Sequence, residues 1–389
     1  MSLAGSQQKV FLRLLTVLRP NWHSDVNLPA GISEVFAANR SFGSRDRKLY
    51  RELIYTTLRF LPWIEPLLDT EPERAAKIAA WLASDLPATR AYRAELCRDW
   101  PPCPPTVAAK AAHLGAEAGA LLPAWFGRHC PAAAVQPNLD TLHTRASLWL
   151  RLNARDADRV LGEFTSLEWK WRRADVLPTA VELLAEADVT KTAAWSAGLF
   201  EVQDLGSQLI LSAAGIAPGG HWLDACAGAG GKTLQLAALL GPTGRVDAHD
   251  IRPAALKELS FRAIRAKQTN ITILPAPPTA TYDGVLVDAP CTGSGTWRRA
   301  PHLKWTTSAG DVAKAAERQL ALLGEFSARV KPGGRLIYAT CSLSRLENDE
   351  VVAAFVAAHP DFSADGPART LLPAAHNTDG FFVAALRRK

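Results

Sequence analysis

Two cysteines stand apart from the rest by their settings. Cys291 lies in VLVDAPCTGSGTWRRAPHLKW (285–305) and Cys341 in RLIYATCSLSRLEN (335–348). Each follows an apolar run that reads as a strand, and each sits among hydroxyls, an acid or arginines. A thiolate in such a place is a nucleophile. In apolar surroundings a cysteine is only a small hydrophobe. Cys97, Cys103 and Cys130, in Ala/Pro-rich helical sequence, read that way, and Cys226 reads as loop packing. No metal is expected. Two thiolates without nearby Cys or His partners do not complete a tetrahedral shell.

A glycine loop lies between strand and helix in WLDACAGAGGKT (222–233). Glycines there let backbone N–H groups approach a ligand at a positive helix terminus. A P-loop needs glycine five positions before Gly231-Lys232-Thr233, and Cys226 stands there instead. A dinucleotide fingerprint fits Gly228-Ala229-Gly230-Gly231 poorly, and a merely tight structural turn remains open. Asp224 precedes the loop and Asp250 ends the next strand. A carboxylate at the second place suits a ribose diol. S-adenosylmethionine carries that diol and no phosphate, so it fits better than ATP.

These residues need a frame that brings strand ends together. From about residue 200 the pattern is strand, glycine turn, helix, repeated: HWLDACAGAGG, KTLQLAALL, GRVDAHDI, AALKELSFRAIRAK and YDGVLVDAP follow one another. A helix is expected near 311–329, then a strand in KPGGRLIYATC, a helix in ENDEVVAAFVAAH and a closing strand in FFVAALRR. Such alternation predicts an α/β, Rossmann-like domain with a mainly parallel sheet, whose ligands bind at the carboxyl ends of the strands. Residues 140–200 predict a small α+β segment. SLWLRLN (147–153) and LEWKWRR (167–173) alternate with period two, and ARDADRVLGEF between them reads as a helix. Before about residue 130, leucines at helical spacing and Ala-rich runs predict helices, punctuated by proline clusters.

The chain has 389 residues, 48% of them hydrophobic, enough for two or three packed domains. No run of eighteen apolar residues is present, so no membrane span is expected. The first residues lack a signal-peptide pattern, and six sparse cysteines do not build a disulfide scaffold. A cytoplasmic protein is the expectation. The net charge of +6 is mild, but residues 1–60 hold nine Lys/Arg against four acids. That placement permits a nucleic-acid partner.

In VQDLGSQL (202–209), LDACAGAGGKT, Asp250, DAPCTGSGTWRRAPHLKW, YATCSLSRLEN and DGFFVAAL (379–386), the sequence resembles the RsmB/Sun family of RNA (cytosine-5)-methyltransferases. The order and spacing agree across nearly all of 201–389. LRLNARDADRV (150–160) is similar to the family's small N1 subdomain. NRSFGSRDRKLYRELIYTTLR (39–59) and LPAWFGRH (122–129) weakly resemble its helical NusB-like RNA-binding domain. The resemblance implies a NusB-like domain over 1–135, an N1-like subdomain over 140–200 and a methyltransferase domain over 201–389.

The resemblance also implies roles. Cys341 would be the nucleophile that adds to C6 of cytosine, and Cys291 would assist product release. Asp288 would bond the cytosine N3/N4 edge and lie near the methyl donor, with Lys232 orienting these groups. Lys232, Arg298 or Arg299 would favour the Cys341 thiolate. The cofactor, S-adenosylmethionine, would be held by Cys226, Ala227, Gly228, Ala229, Gly230, Gly231, Lys232, Asp250 and Asp288. Arg298 and Arg299 would meet phosphate beside a flipped base, and Arg45 and Arg47 would belong to a phosphate-tracking surface. Trp297 and Trp305 read as packing rather than stacking.

Two departures from the family pattern stand out. NITILPAPPTATYDG (270–284) has Pro275 and Ala276 where an acid usually contacts adenine, and Ala229 replaces a frequent proline. The leading expectation is a monomeric RNA methyltransferase forming 5-methylcytosine, in ribosomal RNA by the resemblance. The rivals are an RNA-binding or ribosome-assembly protein with a vestigial methyltransferase domain, and an ATPase, against which Cys226 argues. DNA is the less favoured substrate.

Overall fold

The computed structural model describes residues 2–389, which divide into two compact units. The first holds the residues up to Arg145 together with Thr296–Ser308; the second holds Ala146–Gly295 and Ala309–Lys389.

The first unit is helical. Its longer helices are Leu3–Leu18, Leu28–Ala38, Ser44–Arg59, Pro72–Leu82 and Val107–Leu114. One apolar cluster joins them, with Phe11, Leu14 and Leu15 of the first helix against Leu53, Ile54 and Leu58, and Ala75, Ala76, Ala79 and Ala80 allowing close approach. These positions recur at intervals of three and four, the period that puts one stripe of a helix inward.

Thr296–Ser308 completes this unit, although it follows directly on the Cys291 loop in sequence. Trp297 is buried with its ring 4.4 Å from Phe126, and the Trp305 indole N–H donates to the Leu58 carbonyl at 2.6 Å. Both tryptophans therefore pack. The buried Lys304 ammonium donates to the Arg59 carbonyl at 2.7 Å and faces His143 Nε2 at 3.1 Å. Burial and the nearby Arg59 hold its pKa well below the usual lysine value.

Two arginines expected to meet phosphate are engaged with backbone carbonyls instead. Arg298 is buried, and its guanidinium donates to the Arg145 carbonyl at 3.0 Å while Arg59 donates to the Arg298 carbonyl. Arg47 donates to the carbonyls of Phe42 at 3.1 Å, Phe36 at 2.8 Å and Asn39 at 3.3 Å, closing the end of the preceding helix. Both guanidiniums satisfy orphan carbonyls, which a charge pattern does not reveal. Arg45 and Arg299 are exposed.

The second unit contains two sheets. The smaller is antiparallel, with β1 (Leu148–Leu152), β2 (Trp171–Ala174), β3 (Leu177–Leu183) and β4 (Phe200–Val202) in the order β2-β3-β1-β4. The helix Ala157–Ser166 covers one face through Val160, Leu161 and Phe164.

The larger sheet comprises β5 (His221–Asp224), β6 (Arg245–His249), β7 (Ile271–Leu274), β8 (Tyr282–Asp288), β9 (Val330–Thr340), β10 (Phe362–Ala364), β11 (Arg369–Leu371) and β12 (Phe381–Arg388). Its order is β10-β12-β9-β8-β5-β6-β7, with β11 also pairing β12. β7, β6, β5, β8 and β9 run parallel, and β12 joins β9 antiparallel. The direction of chain progression reverses between β5 and β8, the switch point where such sheets hold ligands.

Alternation buries both faces. Leu223, Val285, Val287, Leu336 and Tyr338 meet Leu323 and Phe355 on one side. Trp222, Leu286, Ile337 and Ala339 meet Leu211 and Leu236 on the other. Sheet and helices thereby fix the height at which each strand ends. Among the described residues, no helix is long and apolar enough to cross a membrane.

The Arg47 clamp yields a stability prediction. Arg47→Ala should lower unfolding free energy by about 2 kcal/mol, the scale of charge-assisted hydrogen bonds. Arg45→Ala should leave it within about 0.5 kcal/mol, as for an exposed side chain. Denaturant titration of the two variants checks this.

Candidate active site

β8 and β9 are parallel neighbours, with Val287 opposite Tyr338 and Asp288 opposite Ala339. The chain leaves both strands at the same end, and the two cysteines follow within three residues. Cys291 Sγ and Cys341 Sγ stand 3.3 Å apart. Gly295 N donates to the Cys341 carbonyl at 3.0 Å, and Gly380 N donates to Gly295 O at 2.8 Å. A Cβ on Gly295 would lie 2.1 Å from Gly380 O, so only glycine permits these loops to meet.

Lys232 sits in the first turn of the helix Gly231–Leu240, and its ammonium meets Asp288 Oδ2 at 2.8 Å. Burial works against its charge. The Asp288 carboxylate outweighs that penalty by charge and hydrogen bond, with smaller help from Cys341 and Asp224, and holds the lysine above its ordinary value. The interaction is mutual, so Lys232 in turn favours a thiolate on Cys341. On Cys291 the balance is opposite. The hydrogen bond to Cys341, then burial, then the charges of Cys341 and Glu347 push its thiol well above the usual range.

The glycine loop bends through left-handed residues, Gly228 at φ 53° and Gly230 at φ 88°. A side chain at Gly230 would also strike Leu259, 2.2 Å from the built Cβ. Asp250 accepts from Gly228 N at 2.8 Å and from Arg252 N, Nε and Nη2, each at 2.9 Å. These bonds, the Arg252 side chain foremost, lower its pKa to about 2. Asp224 is buried and accepts from Thr233 Oγ1 at 2.7 Å, while its Oδ1 has no partner. Burial raises its pKa to about 7. Ala229 is exposed, its carbonyl held by Arg262 at 2.7 Å. Burial and the charges of Asp224, Asp288 and Asp250 push the Cys226 thiol far up, so it stays protonated.

Three features escape sequence reasoning. Glu347 is fully buried behind both cysteine loops. Ile251 follows Asp250 and is 88% exposed, a bare apolar surface beside the carboxylate. The motif VQDLGSQL proves structural: Gln203 Nε2 donates to Gln235 Oε1 at 2.9 Å, and Asp204 accepts from Gly206 N and from Thr378 Oγ1. The repeated strand-end location flags the first two, but only burial distinguishes Glu347 from the acids beside it. The chain segment after β7, 275–281, offers no acid.

A five-strand parallel core reversing beside a glycine loop, a carboxylate after the second strand, and an added antiparallel strand are the arrangement of the S-adenosylmethionine-dependent methyltransferase fold. Residues 214–387 match the family model described as 16S rRNA methyltransferase RsmB/F. Over those residues the chain is similar to that family.

Among curated relatives, a Bacillus subtilis (strain 168) protein named "Probable ribosomal RNA small subunit methyltransferase B" is 34% identical over 269 residues, 62% of this chain and 59% of its own length. "Ribosomal RNA small subunit methyltransferase B" of Vibrio cholerae is 32% identical over 273 residues, 65% of this chain and 62% of its own. The match spans about three fifths of such relatives. The crystal structure of PH0851 has the same fold throughout, with TM-score 0.75, 21% identity and full coverage of both chains. NSun6 from Pyrococcus horikoshii, crystallised with SFG, aligns with TM-score 0.60 and 17% identity over 68% of this chain and 98% of its own.

Two outcomes follow from the carboxylates. A carboxyl whose folded pKa is raised stabilises the fold fully below its unfolded value and loses that contribution as pH rises through the folded one. In the ligand-free protein, Asp224 should therefore cost stability between about pH 4 and about pH 7. Asp224→Asn should remove that part of the decline, read by melting temperature across the interval. Arg252 occupies two of the Asp250 lone-pair sites with a side chain 68% exposed. Arg252→Ala should strengthen binding of a ribose-bearing ligand severalfold by calorimetry.

Proposed function

We propose that this protein is an S-adenosylmethionine-dependent RNA (cytosine-5)-methyltransferase acting on ribosomal RNA of the small subunit. The observation that carries the reading is the Cys291–Cys341 pair at 3.3 Å beside the Lys232–Asp288 ion pair. The relatives named for small-subunit ribosomal RNA support the substrate.

The residues present fit the cofactor. Asp250 can exchange the Arg252 guanidinium for two ribose hydroxyls, since a carboxylate offers about four acceptor sites. Gly228 carries no side chain over the loop, and Gly230 lets the loop pack closely on Leu259. The unpartnered Asp224 Oδ1 lacks a donor that a cationic group would supply. Ile251 offers an apolar face to a purine, which answers the missing acid after β7. S-adenosylmethionine, when bound, supplies an electrophilic methyl group.

The chain's own residues do the rest. Cytosine C5 is a weak nucleophile, and addition of the Cys341 thiolate to C6 makes it enamine-like. Lys232 favours the thiolate form. Asp288, partly exposed and anchored by Lys232, is placed to accept from the cytosine amino edge. Cys291 lies where it can assist breaking of the Cys341–C6 bond once the C5 proton has left. Arg45 and Arg299 remain the exposed members of the proposed phosphate contacts.

Cys341→Ala should abolish methylation, read by bisulfite mapping of total RNA from cells with and without the protein. Cys291→Ala should accumulate a covalent protein–RNA adduct resolved on a denaturing gel. Retained methylation in the first variant, or no adduct in the second, would reject the assigned roles.

A further inference from the structure

Glu347 lies behind the two thiols and touches the neighbour of each. Its Oε1 accepts from Thr292 N at 2.8 Å and from Gln319 Nε2 at 3.0 Å. Its Oε2 accepts from Thr292 Oγ1 at 2.6 Å and from Ser342 Oγ at 2.5 Å. Thr292 follows Cys291 and Ser342 follows Cys341. All four partners offer a proton to it, which suits an ionised carboxylate.

We propose that Glu347 is the positioning residue that gives the two thiols different jobs. Its carboxylate staples the Cys291 loop to the Cys341 loop. Its buried charge keeps the proton on Cys291, while Lys232 draws the negative charge to Cys341. This rests on the cytosine-5 reading of the site, because only there do the two sulfurs need opposite protonation states.

The surroundings support the asymmetry. Glu347 charge is among the causes that raise the Cys291 thiol, after the Cys341 hydrogen bond, burial and the Cys341 charge; the Gly293 backbone N–H opposes them. Lys232 instead counts Asp288, Cys341 and Asp224 among its stabilising partners. Among the described residues, the groups bonded to the Glu347 carboxylate are neutral donors. From β9, the Tyr338 hydroxyl donates to the Glu347 backbone carbonyl at 2.5 Å, and burial keeps that phenol protonated. From the helix Ala309–Ser327, Gln319 also donates to the Pro290 carbonyl at 3.1 Å, which ties the loop ahead of Cys291 to the same cluster. Next to Glu347, Asn348 bonds Thr340 Oγ1 at 2.6 Å and the Ser342 carbonyl at 2.9 Å, fixing the residues on both sides of Cys341.

The test needs neither RNA nor cofactor. The full-length protein is treated with iodoacetamide across about pH 6–10, the span over which thiols ionise. Alkylation of each cysteine is followed by peptide mass spectrometry. In the wild type, Cys341 should react at lower pH than Cys291. In Glu347→Gln the Cys291 profile should move down by about one pH unit, about tenfold in rate at fixed pH. Glu347→Asp and Ser342→Ala keep the charge and should preserve the order of the two thiols. They also serve if the glutamine variant fails to fold. Unchanged Cys291 reactivity in Glu347→Gln, or loss of the order in both charge-retaining variants, would overturn the proposal. If the thiols behave as stated but Cys341→Ala still methylates, the proposed function fails while the electrostatic role of Glu347 stands.

Discussion

The pairing of β8 with β9 is the constraint on which the site depends. Parallel neighbours in register end at the same height, so residues a few positions past each end share one small volume. The hydrogen bond from Ala289 N to Ala339 O, 2.9 Å, extends this pairing past Asp288 to the start of the cysteine loops. A slip of one residue would exchange the sheet faces of Val287 and Tyr338, both packed against Leu323 and Phe355. The apolar core thus sets the spacing of the two sulfurs before any polar group contributes.

Polar groups then make the two thiols unequal. Lys232 comes from the glycine loop after β5, the strand on the far side of β8, and Glu347 from the turn after β9. The two charges stem from different strand ends, of opposite sign, with the cysteines between them in the chain's topology. Two identical side chains 3.3 Å apart share solvent and dielectric almost equally. Beside the hydrogen bond between them and burial, fixed external charges help to separate their protonation, because a group a few ångströms away in a low-dielectric interior acts strongly.

Much of this was legible from residue order, and the failures have physical causes. The repeated strand–turn–helix pattern located β5, β6, β8, β9 and β12, since period-two apolar runs and glycine turns record sheet burial directly. It missed β3, whose LPTAVEL carries a proline and no clean alternation, and β4, β10 and β11, each three residues long. It placed the cysteines together because the ends of parallel strands converge. It did not foresee that Thr296–Ser308 completes the helical unit, because contiguity along the chain says nothing about which core a tryptophan enters. The same blindness covers Arg47 and Arg298. A guanidinium that closes backbone carbonyls and one that waits for phosphate look alike in sequence. Glu347 is the converse case, a fully buried acid two and three residues before the exposed Asp349 and Glu350.

The loop bearing Cys291 is held at both ends within one unit. β8 fixes its start, and Gly295 at its far end donates to the Cys341 carbonyl and accepts from Gly380 N. Fixing both ends of a short loop removes most of its conformational freedom before any ligand arrives. The proposed attack on one pyrimidine ring from a defined side draws on that order, because a thiol free to wander would meet the ring at many angles and react from few of them.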